Sequence, residues 1–277
     1  RNAALEQQAV QFQQQQFGTS LFRDGAQIPF GVSFIQETTV FREFGPVDGN
    51  AMRFAFQYAP SIGSTFLGKQ TLDADARYYK RIGQTGVLAL RGRWFNSFGD
   101  FPDFHFFGGN GDMRGFEYLE FIGHESGHVN AELRFPLIEA MLTPIGVLGG
   151  IRGTFFFNLG GASLNNIPFK LSSSSTEIFT PIEGFESQGL VLPDGTLGTQ
   201  IVPTFGPERA VSGFRLVDSR AAYGIGLTTL VIGFPAHFDW SWRTLFNKDW
   251  EDVVFATQGG SEEYRKPRFD FWIGYDF

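Results

Sequence analysis

Apolar and polar residues alternate with a period of two through most of this chain. The C-terminal segment 269–277 shows it most clearly, with one apolar face made of Phe269, Phe271, Ile273, Tyr275 and Phe277. Successive side chains of a β-strand point to opposite faces, so this spacing predicts a strand with one apolar and one polar side. No stretch approaches the roughly 18 consecutive apolar residues of a transmembrane helix, which excludes a bundle of such helices.

Eight further segments repeat the pattern, at residues 30–41, 51–59, 71–80, 86–95, 128–137, 151–159, 214–228 and 234–243. Their connections alternate in length. Short ones lie near 42–49, 81–85, 138–146 and 229–233, and long ones near 60–70, 97–125, 160–213 and 244–267. Outer-membrane barrels combine short periplasmic turns with long extracellular loops. The sequence therefore predicts an all-β fold, a transmembrane antiparallel β-barrel, with about nine of its strands in this chain.

A soluble β-sandwich or a lipocalin-type barrel also alternates, with its apolar face turned inward. Two features favour the membrane barrel. The polar faces carry both charges and glycines, and the apolar faces are dominated by aromatic residues near the segment ends, where interfacial girdles lie. The chain has 34 Phe against 7 Tyr, yet its mean hydropathy is only -0.10, as two-faced strands require.

Composition narrows the function classes. The chain contains no Cys, which excludes disulfides, thiolate metal sites and cysteine nucleophiles. A net charge of -7 gives no basic footprint for nucleic acid. We predict no cofactor.

Two regions are expected. Residues 1–29 are a Gln-rich loop or linker, and residues 30–277 are the barrel portion, with the loop at 97–125 folded inward. Single-chain bacterial barrels have even strand numbers, and nine is odd. Either a further strand lies near residues 17–27, or the rest of the barrel lies upstream, and the start at Arg1 without a leader favours the second explanation.

The sequence contains one match to a metal-binding motif. His124, Glu125 and His128 form H-E-x-x-H, which on a helix presents two zinc ligands and a general base. Gly123 and Gly127 are poor helix residues, and an alternating strand begins directly afterwards. We therefore interpret the motif as a polar loop leading into a strand, and predict neither a metal site nor catalytic residues.

The run FFGGNGDMRGFEYLEF in the long loop is the other candidate site. Gly108, Gly109 and Gly111 allow tight turns, but no Lys-Ser/Thr follows them, so the run is not a phosphate cradle. Arg114 lies among apolar residues. A guanidinium folded back into a barrel would need acidic partners, since an unpaired buried charge is costly.

With this run, the segments NAELRFPLIEAMLTPIG, GGIRGTFFFNLGGA and FDFWIGYDF resemble the BamA-like superfamily of outer-membrane barrels, of the bacterial surface antigen type. The resemblance covers roughly residues 30–277 and implies the C-terminal half of a barrel of sixteen strands. In that family an Arg-Gly-Phe/Tyr motif lies at the tip of an inward-folded loop, and Arg114, Gly115 and Phe116 match it.

The family's arginine meets an acid in a Phe-x-Asp-x-Gly strand, where this chain has Asn158 instead. Asn158 can accept a hydrogen bond but adds no charge. Two arrangements follow: either Glu132, on the polar face of the preceding strand, supplies the charge, or the loop takes a different pose. The segment ending at Phe277 is similar to the signal by which barrels are delivered for insertion, and it would also form one side of a weakly paired seam between first and last strands.

The resemblance implies a bacterial outer-membrane protein that inserts or translocates polypeptide without covalent chemistry, and therefore no enzyme. Its partners would be the lipid bilayer, unfolded outer-membrane or secreted polypeptide, and a periplasmic domain upstream. The subgroup it resembles most carries a TolB-like propeller there. Alternatives are a passive pore or the membrane anchor of a fused domain, and, from the H-E-x-x-H motif, a zinc hydrolase.

Overall fold

The computed structural model describes residues 25–63, 65–83, 85–143, 146–165, 167–191, 197–231 and 233–275. Contacts divide the chain into two units. The sheet unit holds the described residues up to Phe169 together with Ala221–Trp242 and those from Arg268 onward. The loop unit holds Lys170–Arg220 and Arg243–Pro267.

The described chain is mainly β-structure. In chain order its strands are β1 (Phe30–Glu37), β2 (Val40–Arg42), β3 (Gly45–Ala59), β4 (Lys69–Ile82), β5 (Gly86–Gly99), β6 (His105–Phe107), β7 (Phe121–Gly123), β8 (Glu125–Thr143), β9 (Gly146–Ser163), β10 (Ser172–Ser173), β11 (Glu177–Phe179), β12 (Ile182–Val191), β13 (Leu197–Phe205), β14 (Arg209–Val211), β15 (Arg215–Leu216), β16 (Ser219–Val231), β17 (Phe234–Thr244) and β18 (Arg268–Ile273).

One large antiparallel sheet organises the sheet unit. Its path runs β1-β3-β4-β5-β8-β9-β16-β17-β18, and β2 also pairs with β3. The all-β antiparallel prediction is confirmed, and the nine strands of this path correspond to the nine alternating segments. Neighbours in the path follow one another in chain order, and the strands β2, β6, β7 and β10 to β15 lie in the connections between them.

Several predicted bounds were wrong. The segment 30–41 divides at Thr38 and Thr39 into β1 and β2, and the segment 214–228 divides into β15 and β16. The last strand begins at Arg268 and ends at Ile273, so it is shorter than the predicted 269–277. Residues 276–277 of that segment lie outside the described chain, as do residues 1–24 of the predicted linker.

Burial along the long strands is the inverse of that in a soluble protein. On β8, Val129 is 52% exposed and Leu133 is 38% exposed, whereas Glu132 and Arg134 are each 1% exposed. Apolar side chains are normally the buried ones and charged side chains almost never are. In the sheet unit, therefore, the polar face is the covered face and the apolar face points outward.

The loop unit corrects the expectation that residues 160–213 and 244–267 are loops. It contains the pairs β10/β15, β11/β14 and β12/β13, and the helices α1 (Lys248–Val254) and α2 (Gly260–Tyr264), with the 3-10 turn Ala256–Gln258 between them. The connection between β12 and β13, at residues 192–196, lies outside the described chain. Neither helix of the described chain has the length and apolar character to cross a bilayer.

A buried arginine with aromatic and acidic neighbours stabilises the loop unit. Arg215 is 1% exposed, and its guanidinium carbon lies 5.4 Å from the ring centres of both Phe179 and Trp250. Its Nη2 lies 3.1 Å from Glu177, and Trp250 donates to the Leu216 carbonyl at 2.7 Å. Cation–π contact and ion pairing together compensate for the desolvation of this guanidinium.

Candidate functional site

The connection between β5 and β8 carries the Arg-Gly-Phe motif and lies against the polar face of the sheet. Gly108 and Gly109 have φ angles of 129° and 82°, which favour glycine. Gly115 has φ 87°, and a Cβ there would lie 2.8 Å from Ser241 Oγ. The turn of the motif therefore packs directly on β17, with no space for a side chain.

Arg114 is buried between two carboxylates. It is 3% exposed. Its Nη2 lies 2.8 Å from Glu132 Oε1 and its Nε lies 3.6 Å from Asp239 Oδ2. The guanidinium carbon also lies 4.8 Å from the ring centre of Phe156. Strands β8, β9 and β17 thus each contribute one contact to the charge that the loop brings in.

Glu132 is shared between two arginines. Arg134, two residues along β8, donates from Nε to Glu132 Oε2 at 2.7 Å. Glu132 and Arg134 are each 1% exposed, so the three charges form one desolvated network. Removal of one member of such a network is strongly destabilising, because it leaves charge without compensation in a low-dielectric site.

Asn158 meets Arg114 through the main chain and not through the guanidinium. With its amide oriented to satisfy both ends, Asn158 Oδ1 accepts from the Arg114 N–H at 2.9 Å, and Nδ2 donates to the Phe157 carbonyl at 3.3 Å. Asn158 therefore fixes the backbone of the motif. The charge compensation comes from Glu132 and Asp239.

Asp239 was missed at the level of sequence. It lies on the polar side of the alternating segment 234–243, which was the available signal, but no motif connects it to the loop. Glycines on β16 make room for this part of the site. A Cβ at Gly226 would lie 2.3 Å from Asp239 Oδ1, and one at Gly224 would lie 2.3 Å from the Phe156 ring.

Phe116, the third residue of the motif, anchors the loop through apolar packing. It forms a buried cluster with Phe107, Met113 and Ala222. Its ring also meets that of Phe121 edge to face, with centroids 5.2 Å apart. This apolar packing explains why an aromatic residue follows the Arg-Gly pair.

A second polar anchor lies at the tip of the loop. Arg91 on β5 contacts Asp112 at 3.1 Å and Asp75 at 2.9 Å, and it donates to the Gly111 carbonyl at 3.0 Å. Asn130 donates to the Asp112 carbonyl at 2.6 Å. The loop is therefore attached to β5 and β8 as well as at Arg114.

The same network reaches the terminal strand β18. Trp272 donates from Nε1 to Asp239 Oδ2 at 2.8 Å, so Asp239 bridges Arg114 and Trp272. The Trp272 ring stacks on that of His237, with centroids 3.7 Å apart. Glu117, just after the motif, pairs with Arg268 at the start of β18. The position of the loop and that of β18 are thus connected by two sets of polar contacts.

A family model described as the Omp85 superfamily domain matches residues 42–277, which is most of the chain. The chain belongs to the Omp85 superfamily. A comparison with curated proteins gave no match. Members of the superfamily act in outer-membrane protein insertion and in polypeptide translocation, without enzymatic chemistry. The resemblance inferred from the motif residues is therefore confirmed at the level of the superfamily.

The H-E-x-x-H residues of the Omp85 domain lie at the start of a strand. Glu125 is the first residue of β8, and His124 and His128 are both buried. Among the described residues, no group of three or more His, Asp or Glu side chains is arranged to hold a metal ion. His105 in the loop shares a 2.7 Å hydrogen bond with Ser126, and burial, with a smaller contribution from Arg93, lowers its pKa to about 4.

The apolar face of β18 is open. Phe269, Phe271 and Ile273 are 55%, 54% and 58% exposed, and Tyr275, just beyond the strand, is 57% exposed. β18 pairs with β17 from Ala236↔Ile273 to Ser241↔Arg268, and in the described sheet its other edge has no neighbour. Phe277, the last residue of the predicted signal, lies outside the described chain.

Proposed function

We propose that this chain is the C-terminal portion, residues 30–277, of a transmembrane outer-membrane barrel of sixteen strands that inserts or translocates polypeptides. The inverted burial of its strands supports this, because a face of exposed Phe and Ile suits lipid and a covered polar face suits a lumen. The observation that carries the proposal is Arg114, held inside the polar face by Glu132 and Asp239 on a loop that also contacts β18.

The mechanism is non-covalent. Edge strands expose unpaired N–H and C=O groups that can pair with an incoming strand. β18 has six residues, pairs with β17 on one side, and would form one side of a seam with the first strand of the barrel. The loop contacts through Trp272 and Arg268 would set how β18 is presented. No cofactor or metal is needed for this exchange.

We further propose that the upstream part of the protein supplies the remaining strands and a periplasmic TolB-like propeller. The propeller rests on the resemblance of the barrel segments alone. The full reading frame tests it directly, because a different upstream domain, such as transport-associated repeats, would replace this part of the proposal while leaving the barrel intact.

Insertion is testable in liposomes that contain the purified full-length protein. An unfolded outer-membrane protein is added, and its membrane-protected, heat-modifiable fraction is measured. We expect the wild type to raise that fraction above empty liposomes and Glu132→Gln to abolish the increase. Insertion no faster than in empty liposomes, together with steady ion conductance, would identify a passive pore or anchor instead.

A further inference from the structure

A cavity of about 620 Å³ lies at the end of the polar face where the short turns are. Its lining includes Arg42 and Glu43 at the β2–β3 turn, Arg81 at the end of β4, and Arg152 on β9. The volume falls within the ~300–1,000 Å³ typical of ligand sites. We call this cavity the arginine pocket.

Arg42 and Arg81 differ from other arginines of the same face in their ion pairing. Arg93 contacts Asp73 at 3.2 Å, and Arg91 has acids on two sides. By contrast, neither Arg42 nor Arg81 has an acidic partner among the residues that the structure describes. The guanidinium groups of Arg42 and Arg81 therefore line the cavity, and Glu43 is the carboxylate among its described lining residues.

The floor of the pocket is apolar. Val47 and Val87 line it and are 7% and 2% exposed. Phe44 lies beside them, with its ring centre 5.3 Å from the guanidinium carbon of Arg152. An exposed arginine by itself is ordinarily only hydrated. Arginines placed around an apolar floor form a site that can bind a charged group and an apolar group together.

Guanidinium forks bind carboxylates by paired, charge-assisted hydrogen bonds, and the floor would bury neighbouring apolar side chains. A small inorganic anion would leave the apolar floor exposed to water. We propose that the arginine pocket binds polypeptide segments in which acidic and apolar side chains adjoin. This inference rests on the proposed function and names the class of polypeptide that the short-turn end of the polar face would receive.

The test measures binding to the purified full-length protein in detergent micelles by fluorescence anisotropy. The probe is a labelled peptide that alternates Asp with Phe, blocked at both ends. A second peptide has Asn in place of Asp and therefore the same apolar groups without the charge. We expect the Asn peptide to bind at least about tenfold more weakly, since a charge-assisted hydrogen bond contributes roughly that factor or more.

Variants locate the site. We expect Arg42→Gln and Arg81→Gln each to weaken binding of the Asp peptide by about tenfold, and Arg81→Lys, which keeps the charge but loses the fork, by less. Arg209→Gln removes an exposed arginine of the loop unit and is the matched control, with wild-type binding expected. Heat-modifiable migration checks that every variant is folded.

Any one of three results would overturn the inference. The first is equal binding of the Asn and Asp peptides, and the second is unchanged binding of the Asp peptide by the Arg42→Gln/Arg81→Gln double variant. The third is stronger competition by inorganic phosphate or phosphatidylglycerol vesicles than by unlabelled Asp peptide. The insertion assay separates this inference from the proposed function. Peptide binding without insertion activity contradicts the proposed function alone, whereas insertion without charge-dependent binding contradicts the pocket alone.

Discussion

Two groups of arginines at the polar face of this Omp85 domain differ in burial and in ion pairing: Arg114 on the inward loop, and Arg42 with Arg81 at the short-turn end. Arg114 is 3% exposed, with the Glu132 carboxylate at 2.8 Å and Asp239 at 3.6 Å. Arg42 and Arg81, at the short-turn end, face a cavity and have no acidic partner in the described chain. The difference separates two uses of the same side chain: a paired, desolvated guanidinium fixes a loop, and an unpaired, hydrated one remains available to a ligand.

The largest effect is expected at the paired group. Glu132→Gln removes the carboxylate that contacts both Arg114 and Arg134, and should lower the free energy of unfolding by about 3–5 kcal/mol because buried positive charge loses its compensation. The measurement is the urea midpoint of the protein in micelles, followed by heat-modifiable migration. Glu186→Gln, at an exposed position of β12, is the control and should stay within about 0.5 kcal/mol of wild type.

Equal midpoints for the two variants would show that Arg114 is compensated without Glu132, and the comparison between the two arginine groups would then lose its energetic basis.

A smaller effect is expected where the paired group reaches β18. Trp272→Phe keeps a ring over His237 but removes the Nε1 donor to Asp239, and should cost about 1 kcal/mol. Hydrogen exchange of the β18 amides should accelerate, while exchange along β8 stays unchanged. Trp240→Phe, on the apolar side of β17, is the matched control. Slow, unaltered exchange in β18 of the Trp272 variant would argue against a connection between loop and terminal strand.

The sequence predicted the strands because alternation is a local property. Each long strand of the sheet has one apolar and one polar face, so a period of two marks it without knowledge of its neighbours. Glu132 could be proposed as the partner of Arg114 on the same basis, since it lies on the polar face of a strand adjacent to the loop. Asp239 and Trp272 could not, because their contacts join residues that are distant in the chain.

The loop unit was missed for a different reason. Its paired strands β10, β11, β14 and β15 have only two or three residues each, too few for a period to appear. β12 and β13 have ten and nine residues, and this longer hairpin was assigned to a loop. α1 did carry a local signal that was overlooked. Asn247 precedes it, and the Asn247 side chain accepts from the Trp250 N–H at 3.1 Å, as an N-cap does.

A pH effect of intermediate size is expected in the loop itself. Burial lowers the pKa of His105 to about 4, so between about 4 and its ordinary value of 6.5 the unfolded loop binds more protons than the folded one. Stability contributed by neutral His105 is therefore present above 6.5 and is lost as pH falls through that window. Protease cleavage within residues 97–125 should increase from pH 7 to pH 5.

His105→Phe tests the assignment. The new ring can keep the stacking on Phe95 and Phe107, now at 4.9 and 5.5 Å, but cannot take up a proton. The increase in cleavage at pH 5 should be smaller in this variant. It should not vanish, because burial also lowers the pKa of His124. Wild-type and variant profiles that coincide would place the pH sensitivity elsewhere.

The smallest effect on stability is expected at the unpaired arginines. The Arg42→Gln/Arg81→Gln double variant removes two hydrated charges that have no acidic partner in the described chain, so its urea midpoint should correspond to wild type within about 0.5 kcal/mol. Binding of the Asp–Phe peptide should nevertheless fall by about tenfold or more. A marked loss of stability would mean that these guanidinium groups support the fold, as Arg114 does. A substitution in a paired group such as Arg114 and Glu132 cannot leave stability unchanged while it weakens binding, because it removes the charge compensation of a buried group.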